Sequence, residues 1–268
     1  QPALTLVQFL LQEQGPDAAA KELDARIAAS ADPRPFQRAR AGLDFSQGRK
    51  DQAIAAMRKL IDGAEPSDAT RDLQLALAQM LAETGGTAES ASLVATILAG
   101  DPNDVGALKL GARMAIDADD PDRAISDMRL ALAQAPNDPE IMTITAIAHE
   151  RAGSRELAGE QLARAVEVSG QAPAESLRYA RFLLQDGKIG PAESVVTAAL
   201  RKAPDDRDLL QELGSIQLAR KDWARVGQVV AILRQQDDPA ARAMAADLET
   251  ASLRAQGRTA DAAAALEG

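Results

Sequence analysis

Cysteine is absent from the 268 residues, so disulfide staples and thiol chemistry are excluded, and neither a reducing nor an oxidising compartment is ruled out. Aromatic residues make up only 2%, which leaves Leu, Ala, Val, Ile and Met to fill whatever core the 46% hydrophobic content builds. No apolar run approaches the length of a membrane span, so a membrane-embedded protein is not expected. A basic excess is also missing. Thirty Lys and Arg face forty Asp and Glu, a net charge of −10, which argues against a nucleic-acid partner and acts more simply as a solubility device.

The dominant residues, alanine, leucine and arginine, favour helix over strand. They recur with a period. "LAGDPND" at 98–104, "LAQAPND" at 132–138 and "LRKAPDD" at 200–206 set Pro102, Pro136 and Pro204 34 and 68 residues apart; the altered phrase is "VEVSGQAP", around Gly170. Between the prolines each unit has the same internal plan. Leu108, Gly111/Ala112 and Ala115 have helical spacing, "DDPDR" breaks it, and Ala124, Met128 and Ala131 line a second helix. The next unit has Ala146 and His149, then Gly153, then Ala158, Leu162 and Ala165. One period on come Tyr179, Ala180 and Leu183, then Gly187, then Ala192, Val196 and Ala199. A glycine at the break permits the left-handed conformation that closes a helix. Towards the ends the plan loosens. The first unit keeps Leu4, Val7 and Leu11 on one face, then Gly15 and Ala20, and the unit after Pro204 packs Val226, Val230 and Leu233 beside the single tryptophan, Trp223.

This pattern resembles the bacterial tetratricopeptide repeat, a 34-residue helix–turn–helix unit with a small residue in its first helix, an alanine early in its second and a proline at its end. The matching small residues are Ala78, Ala112, Ala146, Ala180 and Gly214, and the matching alanines are Ala53, Ala124, Ala158, Ala192 and Ala262. The resemblance implies an all-α, right-handed α-solenoid of about sixteen helices. It forms one domain over residues 1–268, with eight units near 1–32, 33–66, 67–102, 103–136, 137–170, 171–204, 205–238 and 239–268. The chain begins at Gln1 and stops at "TADAAAALEG", a second helix with Ala262 and Leu266. The expectation from these ends is a piece of a longer array, or self-association through uncapped ends.

Catalytic chemistry is not expected. His149 is the only histidine, and the sequence supplies no partners that would make it a base or a metal ligand. "DADDPD" at 117–122 lacks the glycine and terminal glutamate of a calcium loop and is expected to cap a helix. Asp101, Asp104, Asp205 and Asp206 fall in inter-repeat turns, where carboxylates cap the helix that follows. No cofactor and no metal is expected.

Some members of the resembled family hold the C-terminal carboxylate of chaperones with asparagines and lysines on their first helices. Here Asn103 and Asn137 lie in turns, and Lys109 with Arg113 does not make that clamp.

The resemblance also implies that first helices line a concave groove. Carried onto this chain, the groove is expected to expose Arg38 and Phe45, then Lys109, Arg113 and Ile116, then Ile147, Glu150 and Arg151. Leu177, Arg181 and Leu184, and then Ser215 and Leu218, continue it. The expected function is a non-catalytic scaffold that binds a protein or peptide segment bearing apolar and acidic residues. The alternative is an assembly component of a bacterial envelope or exopolysaccharide export machine, which favours the periplasm or cell envelope over the cytoplasm. The bland alternative for the arginines is pairing with Asp117, Glu140 and Glu150 on a solvated surface.

Overall fold

A computed structural model describes residues 2–262. Among them lie fifteen helices and no strand, in two compact units, Gln1–Gln134 and Ala135–Gly268. The first unit holds α1 (Pro2–Glu13), α2 (Pro16–Ala29), α3 (Arg34–Ser46), α4 (Lys50–Ile61), α5 (Asp68–Glu83), α6 (Thr87–Gly100), α7 (Val105–Asp117) and α8 (Pro121–Gln134). The second holds α9 (Pro139–Arg151), α10 (Arg155–Val168), α11 (Pro173–Gln185), α12 (Ile189–Leu200), α13 (Arg207–Ala219), α14 (Trp223–Gln235) and α15 (Pro239–Ala255). Residues 259–262 are again helical, with Ala262 buried; Leu266 lies outside the described residues.

Each hairpin is closed by local chemistry at its turns. In the seven from α3 onward, one residue between the helices takes the left-handed conformation: Gly48, Gly85, Asp119, Gly153, Gly187, Lys221 and Gly257, with φ between 58° and 84°. The next residue then donates its N–H to the carbonyl five residues back, as in Ser154 to His149 at 2.8 Å, Lys188 to Leu183 at 2.9 Å and Asp222 to Gln217 at 2.9 Å. This bond satisfies a carbonyl that the helix end would leave unpaired. Two of the seven sites have a side chain where glycine carries no steric penalty.

Between hairpins, the aspartates of the repeated phrase cap the next helix. Asp104 accepts from the N–H of Ala107 at 2.8 Å, Asp206 from Leu209 at 2.9 Å and Asp138 from Glu140 at 2.8 Å. Asp120, in the "DADDPD" stretch, accepts from the N–H of Arg123 at 3.2 Å. The altered phrase folds differently. Gly170 and Gln171 both take positive φ, and Ser169 Oγ accepts the N–H of Ala172 at 3.3 Å.

Inside each unit, a second helix packs between the first helix of its own hairpin and that of the next. Ala53, Ile54 and Met57 of α4 meet Ala41 of α3 and Leu73, Leu77 and Leu81 of α5. Ala192, Val196 and Ala199 of α12 likewise meet α11 and α13 through Ala180, Leu183, Leu209 and Ile216. The small side chains at the crossings are sealed: Ala53, Ala124, Ala158 and Ala192 all have 0% exposure. Close backbone approach at these points is what the alanines permit. In α6 the crossing position is Ser90, whose hydroxyl donates to the carbonyl of Ala78 at 2.8 Å, so the small residue of the first helix meets a polar partner there.

Two details of the first hairpin differ from the sequence expectation. Its turn is shorter, with Gly15 itself the N-cap of α2, and the sealed alanine is Ala19 rather than Ala20. On α1, Leu4, Val7 and Leu10 face the core while Leu11 is exposed.

Candidate functional site

The residues expected in a groove share one register on their helices. Counted back from the left-handed turn residue, Ile147 on α9, Arg181 on α11 and Ser215 on α13 are equivalent, as are Glu150, Leu184 and Leu218, three residues further on. Spacings of three and seven keep such positions on one helix stripe. In the first unit Arg38 and Phe45 stand on the stripe of α3, and Lys109, Arg113 and Ile116 on that of α7.

Exposure along this stripe is uneven. Arg38, Arg113, Arg151 and Arg181 are exposed, while Phe45, Lys109, Ile147, Leu184 and Leu218 are half-buried. Ile116 and Leu177 are not the accessible anchors expected; both are buried. Leu177 is drawn into the core built on α12 and α13, and Ile116 is sealed at the end of α7 among neighbouring buried residues such as Ala115. Helical spacing places a residue on a stripe, but the packing of neighbours decides whether the stripe's edge stays wet.

The structure gathers Leu177 and Arg181 with Glu150, Arg178, Phe182 and Gln185 around a cleft of about 440 Å³ in the second unit. Ion pairs join its first helices. Arg181 Nε donates to Glu212 Oε2 at 2.8 Å, and Arg178 Nη2 donates to Glu150 Oε2 at 3.3 Å. The partner in each pair lies one or two helical turns from the repeat equivalent of the first residue, which is the offset between adjacent, similarly directed helices. The groove arginine Arg181 thus already has a carboxylate, although neither Glu150 nor any other acid named in advance supplies it. Its side chain remains 60% exposed, so the pair is weakly held in water.

Arg155, at the start of α10, was not foreseen. Its guanidinium lies over the Phe182 ring at 4.4 Å, donates to Gln185 Oε1 at 3.3 Å, and pairs with Asp186. The hydrogen bond that Arg155 Nε donates to Asp186 Oδ1 holds the Asp186 carboxyl below its usual range. In the first unit Lys50 sits 5.2 Å from the Phe45 ring centroid, so this groove residue also carries a cation on its face. The only signal for such contacts in the sequence is an arginine or lysine a few residues beyond the turn glycine, a pattern that solvated helix starts share.

His149 is half-buried, and among the described residues its Nδ1 has no hydrogen-bond partner. No group of three or more His, Asp or Glu among the described residues is placed to hold a metal ion. No described helix is long and apolar enough to cross a membrane.

No family model and no curated protein matches the sequence. The fold does match solved structures. A tetratricopeptide-repeat protein from Parabacteroides merdae aligns over 94% of this chain and 98% of its own, at 14% identity and a TM-score of 0.62. A thermophilic tetratricopeptide-repeat protein from Thermus thermophilus aligns over 69% of this chain and 99% of its own, at 18% identity and a TM-score of 0.58. A chain of the APC/C hetero-tetramer Cut9–Hcn1 aligns over 80% of this chain and 42% of its own, at 16% identity and a TM-score of 0.60. At these identities the likeness is one of fold.

Proposed function

We propose that this tetratricopeptide-type repeat protein is a non-catalytic scaffold that binds a protein segment along the first-helix stripe of its second unit. The observation that carries the reading is the pairing of half-buried apolar side chains with exposed arginine in one register. Leu184 and Leu218 stand one 34-residue repeat apart, and Arg181 precedes Leu184 by one helical turn. Ile147 and Arg151 extend the same stripe on α9. Arg38 and Phe45, and Lys109 and Arg113, form the corresponding stripes of the first unit.

The chemistry divides between the two kinds of side chain. Leu184 and Leu218 each have one side against the core and the other open, and Ile147 is half-buried, so a ligand's apolar side chain completes their burial. Such desolvated anchors carry most of the affinity at interfaces. Arg181 and Arg151 favour a partner with acidic residues and speed its approach. A ligand carboxylate at Arg181 competes with Glu212, whose hold is that of an exposed pair. A chain of the Cut9–Hcn1 hetero-tetramer shares the fold and works in a complex, which supports a protein as the kind of ligand.

The test is affinity capture from the native organism with the wild type, with Leu184→Ser/Leu218→Ser and with Arg181→Glu. Far-ultraviolet circular dichroism first establishes that the three are equally helical. The leucine variant is expected to lose its specific partners at every salt concentration. The arginine variant should lose acidic partners most strongly at low salt, where screening is weakest. Full retention of every partner by both variants refutes the site.

A further inference from the structure

A second cleft, of about 500 Å³, lies among α12, α13 and α14 in the second unit. Its lining is mainly apolar: Leu200, Leu210, Leu213 and Val229 contribute, as does Ile232, which is 40% exposed. It shares no lining residue with the cleft around Glu150 and Arg181. On α13 it uses Leu210, Leu213 and Gln217, whose spacings of three and four put them on one face. Helical geometry sets that face roughly opposite Ser215 and Leu218.

Part of this lining is polar where the repeat does not require it. Counted from the left-handed turn residue, Glu193 is equivalent to Ile54, Ala91, Ile125, Gly159 and Gly227, none of them polar. Gln217 is equivalent to Leu81, Ala115, Leu183 and Leu253, as well as to Asp44 and His149. The corresponding cleft of the first unit, about 480 Å³, is lined by Ala91 and Ala115 at these two places, so a polar pair is not needed to build it. In the second unit Glu193 Oε1 accepts from Gln217 Nε2 at 2.8 Å and Arg225 Nη1 at 2.9 Å, and Oε2 accepts from Arg220 Nη1 at 2.7 Å. A carboxylate only accepts, so the Gln217 amide turns its nitrogen to Glu193 and its oxygen away. That oxygen has no hydrogen-bond partner among the described residues, and Gln217 is only 2% exposed, so bulk water does not supply one. A buried acceptor left unpaired is costly, and a ligand donor would remove that cost.

We infer that this cleft binds a small molecule with an aliphatic body and a neutral amide head, whose N–H donates to Gln217 Oε1 and whose carbonyl accepts from Arg225. The volume and the mainly apolar lining with a few polar groups are those of a small-ligand site. Arg225 faces Glu193 and Asp222 and keeps further N–H groups for a ligand oxygen. The head is neutral because the guanidiniums of Arg220 and Arg225 already face the carboxylates of Glu193 and Asp222. An anionic head would lie beside Glu193 and a cationic one beside Arg225, each losing hydration without a free counter-charge.

The test is isothermal titration calorimetry of the whole chain with four probes of one body length: hexanamide, hexanoate, hexylamine and methyl hexanoate. Hexanamide is expected to bind saturably at millimolar concentration, and the two ions at least about tenfold more weakly. Methyl hexanoate has no N–H and should bind about fivefold more weakly than the amide. Gln217→Leu introduces the residue type of Leu81 and Leu183, so circular dichroism should be unchanged, while the preference for hexanamide over methyl hexanoate disappears. With isoleucine δ1-methyl labelling, the Ile232 resonance, assigned through Ile232→Val, should shift with hexanamide. Ile97, one turn from Val94 in the first unit's cleft, should stay in place.

No saturable hexanamide binding, equal binding of either ion, or an amide preference that survives Gln217→Leu overturns the inference. So does a Gln217→Leu variant that weakens the amide and the ester equally, which marks a change in cavity shape alone. An Ile97 shift equal to that of Ile232 shows that the polar pair is unnecessary and also overturns it. Tighter binding of N-acetyl-leucinamide than of hexanamide assigns the cleft to a residue of a peptide and rules against a small molecule.

Discussion

Lys221 holds a backbone conformation that five of the seven equivalent hairpin turns give to glycine, and replacing it tests how these turns work. Its φ is 60°, and Gly153 and Gly187 occupy the same place in the two preceding hairpins at 75° and 70°. A side chain in the left-handed region costs about 1–2 kcal/mol. Glycine removes that cost but adds about 0.5–1 kcal/mol of backbone entropy that folding must overcome. The difference leaves Lys221→Gly more stable than the wild type by about 0.5–1 kcal/mol. Little else changes: Lys221 is exposed, and among the described residues its side chain makes no ion pair. The reverse change, Gly187→Lys, meets open space around the new Cβ, so steric collision is absent and the backbone penalty alone should destabilise by a similar amount. Trp223, the only tryptophan, opens the helix after this turn, so its fluorescence during urea titration follows the altered hairpin directly. Circular dichroism on the same samples follows all the helices, and a midpoint shift confined to fluorescence marks a local effect, as nearest-neighbour stability allows. The reasoning fails if Lys221→Gly is neutral or destabilising while Gly187→Lys costs nothing. In that case the hydrogen bond from Asp222 to Gln217, and not the left-handed residue, decides the turn.

Ala158→Leu should destabilise the second unit by about 1–3 kcal/mol, because the alanine is fully sealed at a helix crossing and added methyls force its neighbours apart; urea titration measures it. Asp127→Asn should be stabilising at neutral pH. Burial raises the Asp127 carboxyl above its ordinary value, Asp120 adds to the rise and Arg123 opposes it, and among the described residues Oδ2 has no hydrogen-bond partner. A folded-state value above the unfolded one makes this group's contribution full below the unfolded aspartate range and lost as pH rises through the folded value. The advantage of the asparagine should therefore shrink as pH is lowered towards about 3.8, the ordinary value; a gain that persists unchanged in acid refutes the assignment. Glu89, held low by its hydrogen bond to Arg58, works in the opposite sense in both proteins and cancels in the comparison.

What the sequence determined by itself was the periodic part of this protein. The 34-residue spacing of Pro102 and Pro136, with small residues at Ala112, Ala146 and Ala180, dictates helix hairpins because only that spacing returns a small side chain to each crossing. The caps of Asp104 and Asp206 were legible for the same reason: they depend on residues two or three positions away in the chain. Tertiary structure decided everything that depends on a neighbour one repeat off. It sealed Leu177 and Ile116 while leaving Leu184 half open, although all three stand on the expected stripe. It gave Arg181 the carboxylate of Glu212, laid Arg155 over Phe182, and kept Lys221 in a glycine conformation. It also left Phe9 uncovered, in a position where Phe182 is buried. The amino-acid pattern specifies which side of a helix is apolar, but burial belongs to the pair of helices that meet there, and at α1 the described chain supplies only one of them.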